Sequence, residues 1–129
     1  MPRHRRGWAF ESRNGENRHS PVTIAMLEPA LLVLLEQKPQ HGYTLLADLE
    51  KMGMATLHPS VVYRTLREME ELEWIQSDWE TDQTQGPPRR VYRLSIQGEK
   101  ALQNWRYELS KTQNIITHLL LQKNSSEKR

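Results

Sequence analysis

Apolar residues recur along this chain at helical spacing three times before the pattern changes. Over residues 23–37, Ile24, Leu27, Leu31, Leu34 and Leu35 fall on one side, which predicts a first helix. Pro39-Gln40-His41-Gly42 interrupts the pattern and turns the chain. A second predicted helix, 43–52, buries Leu45, Leu46 and Leu49. Gly53 stops it, because glycine accepts the left-handed conformation in which many helices end. His58-Pro59-Ser60 announces a third helix, since proline at the first helical position forfeits only an N–H that has no partner there. Val62, Leu66 and Met69 then define an inward stripe, and Ser60, Tyr63, Arg64 and Arg67 share the outward side.

Beyond this point the period shortens. Trp74-Ile75-Gln76-Ser77-Asp78-Trp79-Glu80 is aromatic-rich with partial alternation, and Trp74 and Trp79 read as packing residues of a β-hairpin. Its tip, 81–88, contains Gly86-Pro87-Pro88, which strand interiors reject, and reads as long and mobile. The returning strand sets Arg90, Tyr92 and Leu94 on one face and Arg89, Val91 and Arg93 on the other.

Ser95 is a suitable N-cap for a last helix over 96–122, which at its ordinary rise spans on the order of 40 Å. Leu102, Trp105, Leu109, Thr112, Ile116 and Leu119 alternate spacings of three and four along it, the a/d seam of a coiled coil. So small a core cannot cover the whole seam, so a second copy of the chain is expected to.

The fold class is therefore mainly α with a small β-wing: a winged helix-turn-helix plus a long C-terminal dimerisation helix. The expected organisation is a disordered basic arm over 1–20, a DNA-binding domain over 21–95, the dimerisation helix over 96–122 and a disordered tail over 123–129.

Charge sharpens this picture. The net charge is only +2, but residues 1–20 carry Arg3, Arg5, Arg6, Arg13 and Arg18 against Glu11 and Glu16. Such an arm suits DNA phosphates or a minor groove. The chain has no cysteine, and no two of its five histidines stand three or four residues apart. Neither a metal site nor a cofactor is expected. No nucleophile–base pair or phosphate-cradling glycine loop supports an enzyme. The longest apolar run, 30–35, is far short of the roughly 18 residues that span a bilayer, and the leader lacks the apolar stretch of a signal peptide. A cytoplasmic protein with no membrane partner is expected, acting at the bacterial nucleoid when bound to DNA.

The outward face of the third helix offers Arg64 and Arg67, with the hydroxyls of Ser60 and Tyr63, to a major groove about 12 Å wide. Arg89, Arg90 and Arg93 offer the wing to neighbouring phosphates or a minor groove. A two-fold dimer repeats both surfaces at a spacing near one DNA turn, about 34 Å, which calls for a pseudo-palindromic double-stranded site. The competing reading for Arg64 and Arg67 is ion pairing along their own helix with Glu68, Glu70 or Glu71. His41 and His58 read as turn or capping residues, and Glu70 as a partner for a basic group across the core.

Four segments carry a family resemblance: Lys38-Pro39-Gln40-His41-Gly42-Tyr43; Pro59-Ser60-Val61-Val62-Tyr63-Arg64-Thr65-Leu66; Met69-Glu70; and Gly86-Pro87-Pro88-Arg89-Arg90-Val91-Tyr92-Arg93-Leu94-Ser95-Ile96-Gln97-Gly98. Over residues 26–121 the chain resembles the PadR-type transcriptional regulators, in the short subfamily with one C-terminal helix. The resemblance implies a winged-helix dimer that represses promoters, with DNA contacts at Ser60, Tyr63, Arg64, Arg67, Arg89 and Arg90. The basic leader further resembles a clock-modifying member of that family, which implies a clock-gene promoter as target. Two departures stand out. Ser60-Val61 replaces the family's common glycine before tyrosine and puts base preference in doubt. Glu73 stands where the family often has glycine, which suggests a differently shaped approach to the wing. Two other readings stay open: a protein-docking module, and a regulator that takes a small aromatic effector beside Trp105.

Overall fold

The computed structural model describes residues 20–54, 57–80 and 88–127, with 123–127 as backbone only. Helix α1 (Pro21–Gln37) starts earlier than its apolar pattern suggests. Ser20 is its N-cap, its Oγ accepting from the amides of Val22 (3.1 Å) and Thr23 (3.4 Å), and Pro21 follows at the first helical position. Ser20 thus belongs to the helix rather than to the basic arm, whose residues 1–19 lie outside the described residues.

Consecutive Leu31 and Leu32 are both fully buried, which on a helix demands neighbours on more than one side. Elements α2 (Gly42–Lys51), α3 (Pro59–Glu71), β3 (Arg89–Leu94) and α4 (Ile96–Glu127) all pack on α1, which makes it the centre of the core.

Between α1 and α2 lies a strand that the sequence pattern does not announce, β1 (Gln40–His41). It pairs antiparallel with β3, Gln40 opposite Tyr92 and His41 opposite Val91. Strand β2 (Ile75–Glu80) pairs with the other edge of β3, so the sheet order is β1-β3-β2. The buried Gln40 side chain donates to the Leu34 carbonyl (3.3 Å), satisfying an orphan acceptor at the end of α1.

Helices α2 and α3 end in the same way. After α2, Gly53 N–H donates to Glu50 O and Met54 N–H to Leu49 O; after α3, Glu73 N–H donates to Glu70 O and Trp74 N–H to Met69 O. Both are Schellman ends, in which one residue adopts positive φ. Gly53 does so at 97° and Glu73 at 65°. The chain therefore reaches the wing in the backbone conformation that glycine favours, and the different shape expected from Glu73 is not what the backbone adopts.

The first turn of α4 is seated on this junction. Ser95 N–H donates to Trp74 O (3.0 Å), and its hydroxyl proton is shared between Glu73 O (2.6 Å) and Trp74 O (2.9 Å). The same Oγ caps α4 by accepting from Gly98 N–H (3.0 Å). A Cβ at Gly98 would lie 2.1 Å from the Trp74 carbonyl oxygen, so only glycine allows the approach.

Helix α4 then continues to Glu127, beyond the expected end at 122, with no proline or glycine to stop it. Its seam is divided. Leu102 is fully buried in its own chain's core, which removes it from the residues a second copy could reach. Trp105, Leu109 and Thr112 are half-buried, while Ile116 and Leu119 are exposed, joined by Ile115 and Leu120. Spacing alone cannot separate burial against α1 from burial against a partner. Arg106 also fixes α4 to α1 through two bonds to the Glu36 carboxylate (2.9 and 3.2 Å). Its guanidinium holds the Glu36 pKa below the usual value, and the arginine's own is raised in return.

Candidate nucleic-acid interface

Helix α3 separates its two faces sharply. Val62, Leu66 and Met69 are fully buried, and Val61 is nearly so. This apolar anchoring fixes the rotation of the helix and turns Ser60, Tyr63, Arg64 and Arg67 outward. His58 is its N-cap, with Nδ1 accepting from the Ser60 amide (3.1 Å) and meeting the Ser60 hydroxyl at 2.9 Å. Ser60 is thus partly committed to organising the start of the helix.

Tyr63 leans over the first residue of α2: a Cβ at Gly42 would lie 2.6 Å from its Cε1 and 2.8 Å from its hydroxyl. Arg64 and Arg67 are exposed, and neither forms an ion pair among the described residues. The competing reading, pairing with Glu68, Glu70 or Glu71, is not what the side chains do.

The hairpin register assigns the wing cations to opposite faces. Trp79 faces Arg90, Ser77 faces Tyr92 and Ile75 faces Leu94 on one side; Glu80 faces Arg89, Asp78 faces Val91 and Gln76 faces Arg93 on the other. Each arginine has a different attachment. Arg93 Nε lies 3.6 Å from the Asp78 carboxylate, so its charge is locally balanced. Arg89 Nη1 donates to the Tyr43 hydroxyl, and its guanidinium lies 5.4 Å from the centre of that ring. Arg90 donates from Nε to Ser77 Oγ (2.7 Å) and lies 4.9 Å from the centre of the Trp79 ring. Ser77 in turn donates to Glu70 Oε2 on α3 (2.6 Å). Glu70 thus reaches a basic group, through one hydroxyl.

Beneath these groups lies Tyr92, largely buried. Burial pushes its phenol above the ordinary 10.0; Arg90 and Arg67 pull it down, while Glu70 and Tyr63 push it further up. Its hydroxyl therefore sits in the combined field of the recognition helix and the wing.

On the other face His41 Nε2 meets Glu80 Oε1 at 2.8 Å and its ring stacks on Tyr43 at 5.9 Å. His41 occupies the N-cap position of α2 but makes no side-chain cap bond, so its ring braces the wing instead. Sequence reasoning did not single out Tyr43, Ser77 or Glu80 as parts of this surface. Tyr43 stands out in the sequence only as part of a motif, and the other two depend on a hairpin register hidden by the length of the tip.

Three helices with cations on the outer face of the third, a twisted hairpin beside them and a long helix behind define a winged helix-turn-helix of the DNA-binding class. The sequence profile described as "Transcriptional regulator PadR-like family" matches residues 31–104, and the chain belongs to that family. It is thus a DNA-binding transcriptional regulator and not an enzyme. The fold is similar to that of a PadR-like transcriptional regulator from Bacillus cereus, with a TM-score of 0.70 at 23% identity over 78% of this chain and 97% of that one. A PadR family transcription regulator from hypervirulent Clostridium difficile gives 0.64 at 23% identity, over 74% and 98%. The circadian clock associated protein Pex from Anabaena gives 0.53 at 24% identity, over 70% and 83%. No curated protein sequence matches the chain. Among the described residues no helix is long and apolar enough to cross a membrane, and no group of His, Asp and Glu could hold a metal ion.

Proposed function

We propose that the protein represses transcription as a homodimer bound to a pseudo-palindromic promoter site, in the cytoplasm at the nucleoid. Arg64 and Arg67, aided by Ser60 and Tyr63, enter the major groove, while Arg89, Arg90 and Arg93 meet flanking backbone. The observation that carries this reading is the state of Arg64 and Arg67: both are exposed and free of ion pairs among the described residues, on a helix whose opposite face is wholly committed to the core. Two unpaired guanidinium groups on a rotationally fixed helix suit guanine O6/N7 or phosphate. The exposed stripe of Ile115, Ile116, Leu119 and Leu120, with half-buried Trp105, Leu109 and Thr112, supports a second copy as partner. Likeness to Pex, a clock associated protein, makes a clock-gene promoter the first target to try.

Footprinting on bound genomic fragments, followed by titration of the recovered duplex at several salt concentrations, tests the reading. It expects an inverted repeat, affinity that falls steeply with salt, and a loss of about 1–3 kcal/mol in Arg64→Ala at the preferred site. A monomer that ignores duplex DNA at low ionic strength would overturn it.

A second reading has its own observation. Trp74 and Trp105, with Gln97, Lys100, Ala101, Asn104 and Glu108, line an open groove of about 340 Å³ at the base of α4. A planar aromatic effector there would adjust the seat of α4 on the wing. Quenching of Trp emission by such a compound, reduced in Trp105→Phe and lost only when Trp74 is replaced as well, and accompanied by altered DNA affinity, is the expected sign. Quenching without a change in affinity removes the effector role.

A further inference from the structure

The three wing arginines are not equivalent, and Arg90 is held in an unusual way. A free arginine samples many rotamers, and freezing it against a phosphate costs entropy at the moment of binding. Arg90 is already immobilised on two sides. Its Nε is used by Ser77 Oγ at 2.7 Å, and its Cζ lies over the Trp79 ring, 4.9 Å from the ring centre. Neither contact occupies its terminal Nη groups, and no hydrogen bond or ion pair among the described residues engages them. Those two nitrogens form the fork that grips a phosphate in bidentate fashion.

The acceptor that holds Nε is itself polarised. Ser77 donates its only proton to Glu70 at 2.6 Å, which directs its lone pairs toward Arg90. Glu70 therefore assists the guanidinium without contacting it, and the positive charge is not cancelled by a direct ion pair. Arg93 is the contrast, lying 3.6 Å from the Asp78 carboxylate. Arg89 is on the opposite sheet face, against Tyr43.

Glu70 belongs to α3, the helix that carries Arg64 and Arg67, so the relay also ties the wing to the recognition helix. Tyr92 supports this placement, since its hydroxyl senses Arg90, Glu70, Tyr63 and Arg67 together. We propose that Glu70, Ser77 and Trp79 are positioning residues for DNA binding: they hold Arg90 in an orientation that leaves its Nη fork free for a backbone phosphate beside the recognition helix. The inference rests on the DNA-binding reading above and adds which wing residue carries it.

The test uses the full chain and a fluorescein-labelled mixed-sequence duplex, because phosphate contacts need no particular site. Anisotropy titrations over a range of salt compare Arg90→Ala, Ser77→Ala, Ser77→Thr, Glu70→Gln and the Ser77→Ala/Arg90→Ala pair. Arg90→Ala is expected to weaken binding about tenfold. It should also make the dependence of log K on log salt shallower by about 0.9 per subunit. Ser77→Ala is expected to reproduce most of that loss, to add nothing in the Arg90→Ala background, and to be rescued by Ser77→Thr, which keeps the hydroxyl. Glu70→Gln should fall between Ser77→Ala and the wild type.

A merely structural role for Ser77 gives additive losses in the double variant, and that result overturns the proposal. So does undiminished affinity in Ser77→Ala or in Arg90→Ala. If the wild-type chain fails to bind the duplex at low salt, the DNA-binding reading itself falls, an outcome distinct from the others.

Discussion

Replacing Glu73 by glycine should stabilise the protein, and the two Schellman ends allow the size of the effect to be worked out. Both α2 and α3 close with the same bond pattern, yet one uses Gly53 at φ 97° and the other Glu73 at φ 65°. An L-residue with a Cβ carries a cost of about 1–2 kcal/mol in the left-handed region, which glycine does not. The Glu73 side chain is exposed and forms no ion pair or hydrogen bond among the described residues, so its removal sacrifices no contact. The carbonyl that accepts from Ser95 belongs to the backbone and survives the change. Opposing the gain, glycine enlarges the conformational freedom of the unfolded chain by about 0.4–1 kcal/mol. The balance is a stabilisation of about 0.5–1 kcal/mol, or a rise in Tm of roughly 2–4 °C for a chain of this size.

Thermal unfolding by circular dichroism measures it, at one fixed protomer concentration because a dimer's Tm depends on concentration. Glu73→Ala keeps the backbone strain while removing the charge, and should leave Tm nearly where it is. The reasoning is refuted if the alanine variant gains as much as the glycine variant, since the benefit then comes from the lost charge rather than from φ.

Gly98→Ala should do the reverse: with Trp74 O only 2.1 Å from the added methyl, the seat of α4 must open, at a cost of about 1–3 kcal/mol read by the same melts. An unchanged Tm would show that the approach is loose. Tyr92 has its folded pKa raised, chiefly by burial, so the stability it contributes is complete below the unfolded value near 10 and is lost as pH rises through the folded value. Tyr92→Phe should therefore lose stability less steeply than wild type in that alkaline window, and parallel pH profiles would count against it. Leu119→Asp puts a charge into the exposed stripe and should raise the dissociation constant of the proposed dimer at least about tenfold by sedimentation equilibrium. An unaltered constant would move the interface elsewhere.

What could be read in advance is what local chemistry decides. Pro59 and the Val62, Leu66 and Met69 stripe announce α3 and fix its outer face, because cap and period are both written within one turn or two. Strand β1 carries no such mark; Gln40 and His41 extend only because Tyr92 and Val91, fifty residues on, offer them partners. Ser20 and Pro21 carry a helix-start signal, but it lies ahead of the apolar pattern, which begins only at Ile24. Leu102 shows the limit of periodicity, since the same spacing serves the protomer's own core and a coiled-coil seam. The Arg90 support depends on pairing across the hairpin, and the span 81–87 left that register open to sequence reasoning.

The seat formed by Ser95 and Gly98 bears on how long an operator the proposed dimer would accept. With the opening turn of α4 bonded directly to the carbonyls of Glu73 and Trp74, no swivel separates the arm from its reading head. In the proposed homodimer, two such arms joined near Ile116 and Leu119 would act as calipers of set span. Each base pair inserted between half-sites shifts the second one by about 3.4 Å and turns it by roughly a tenth of a revolution. Rigid calipers cannot follow that screw motion, so the proposed dimer would gauge the length of its site as well as its letters.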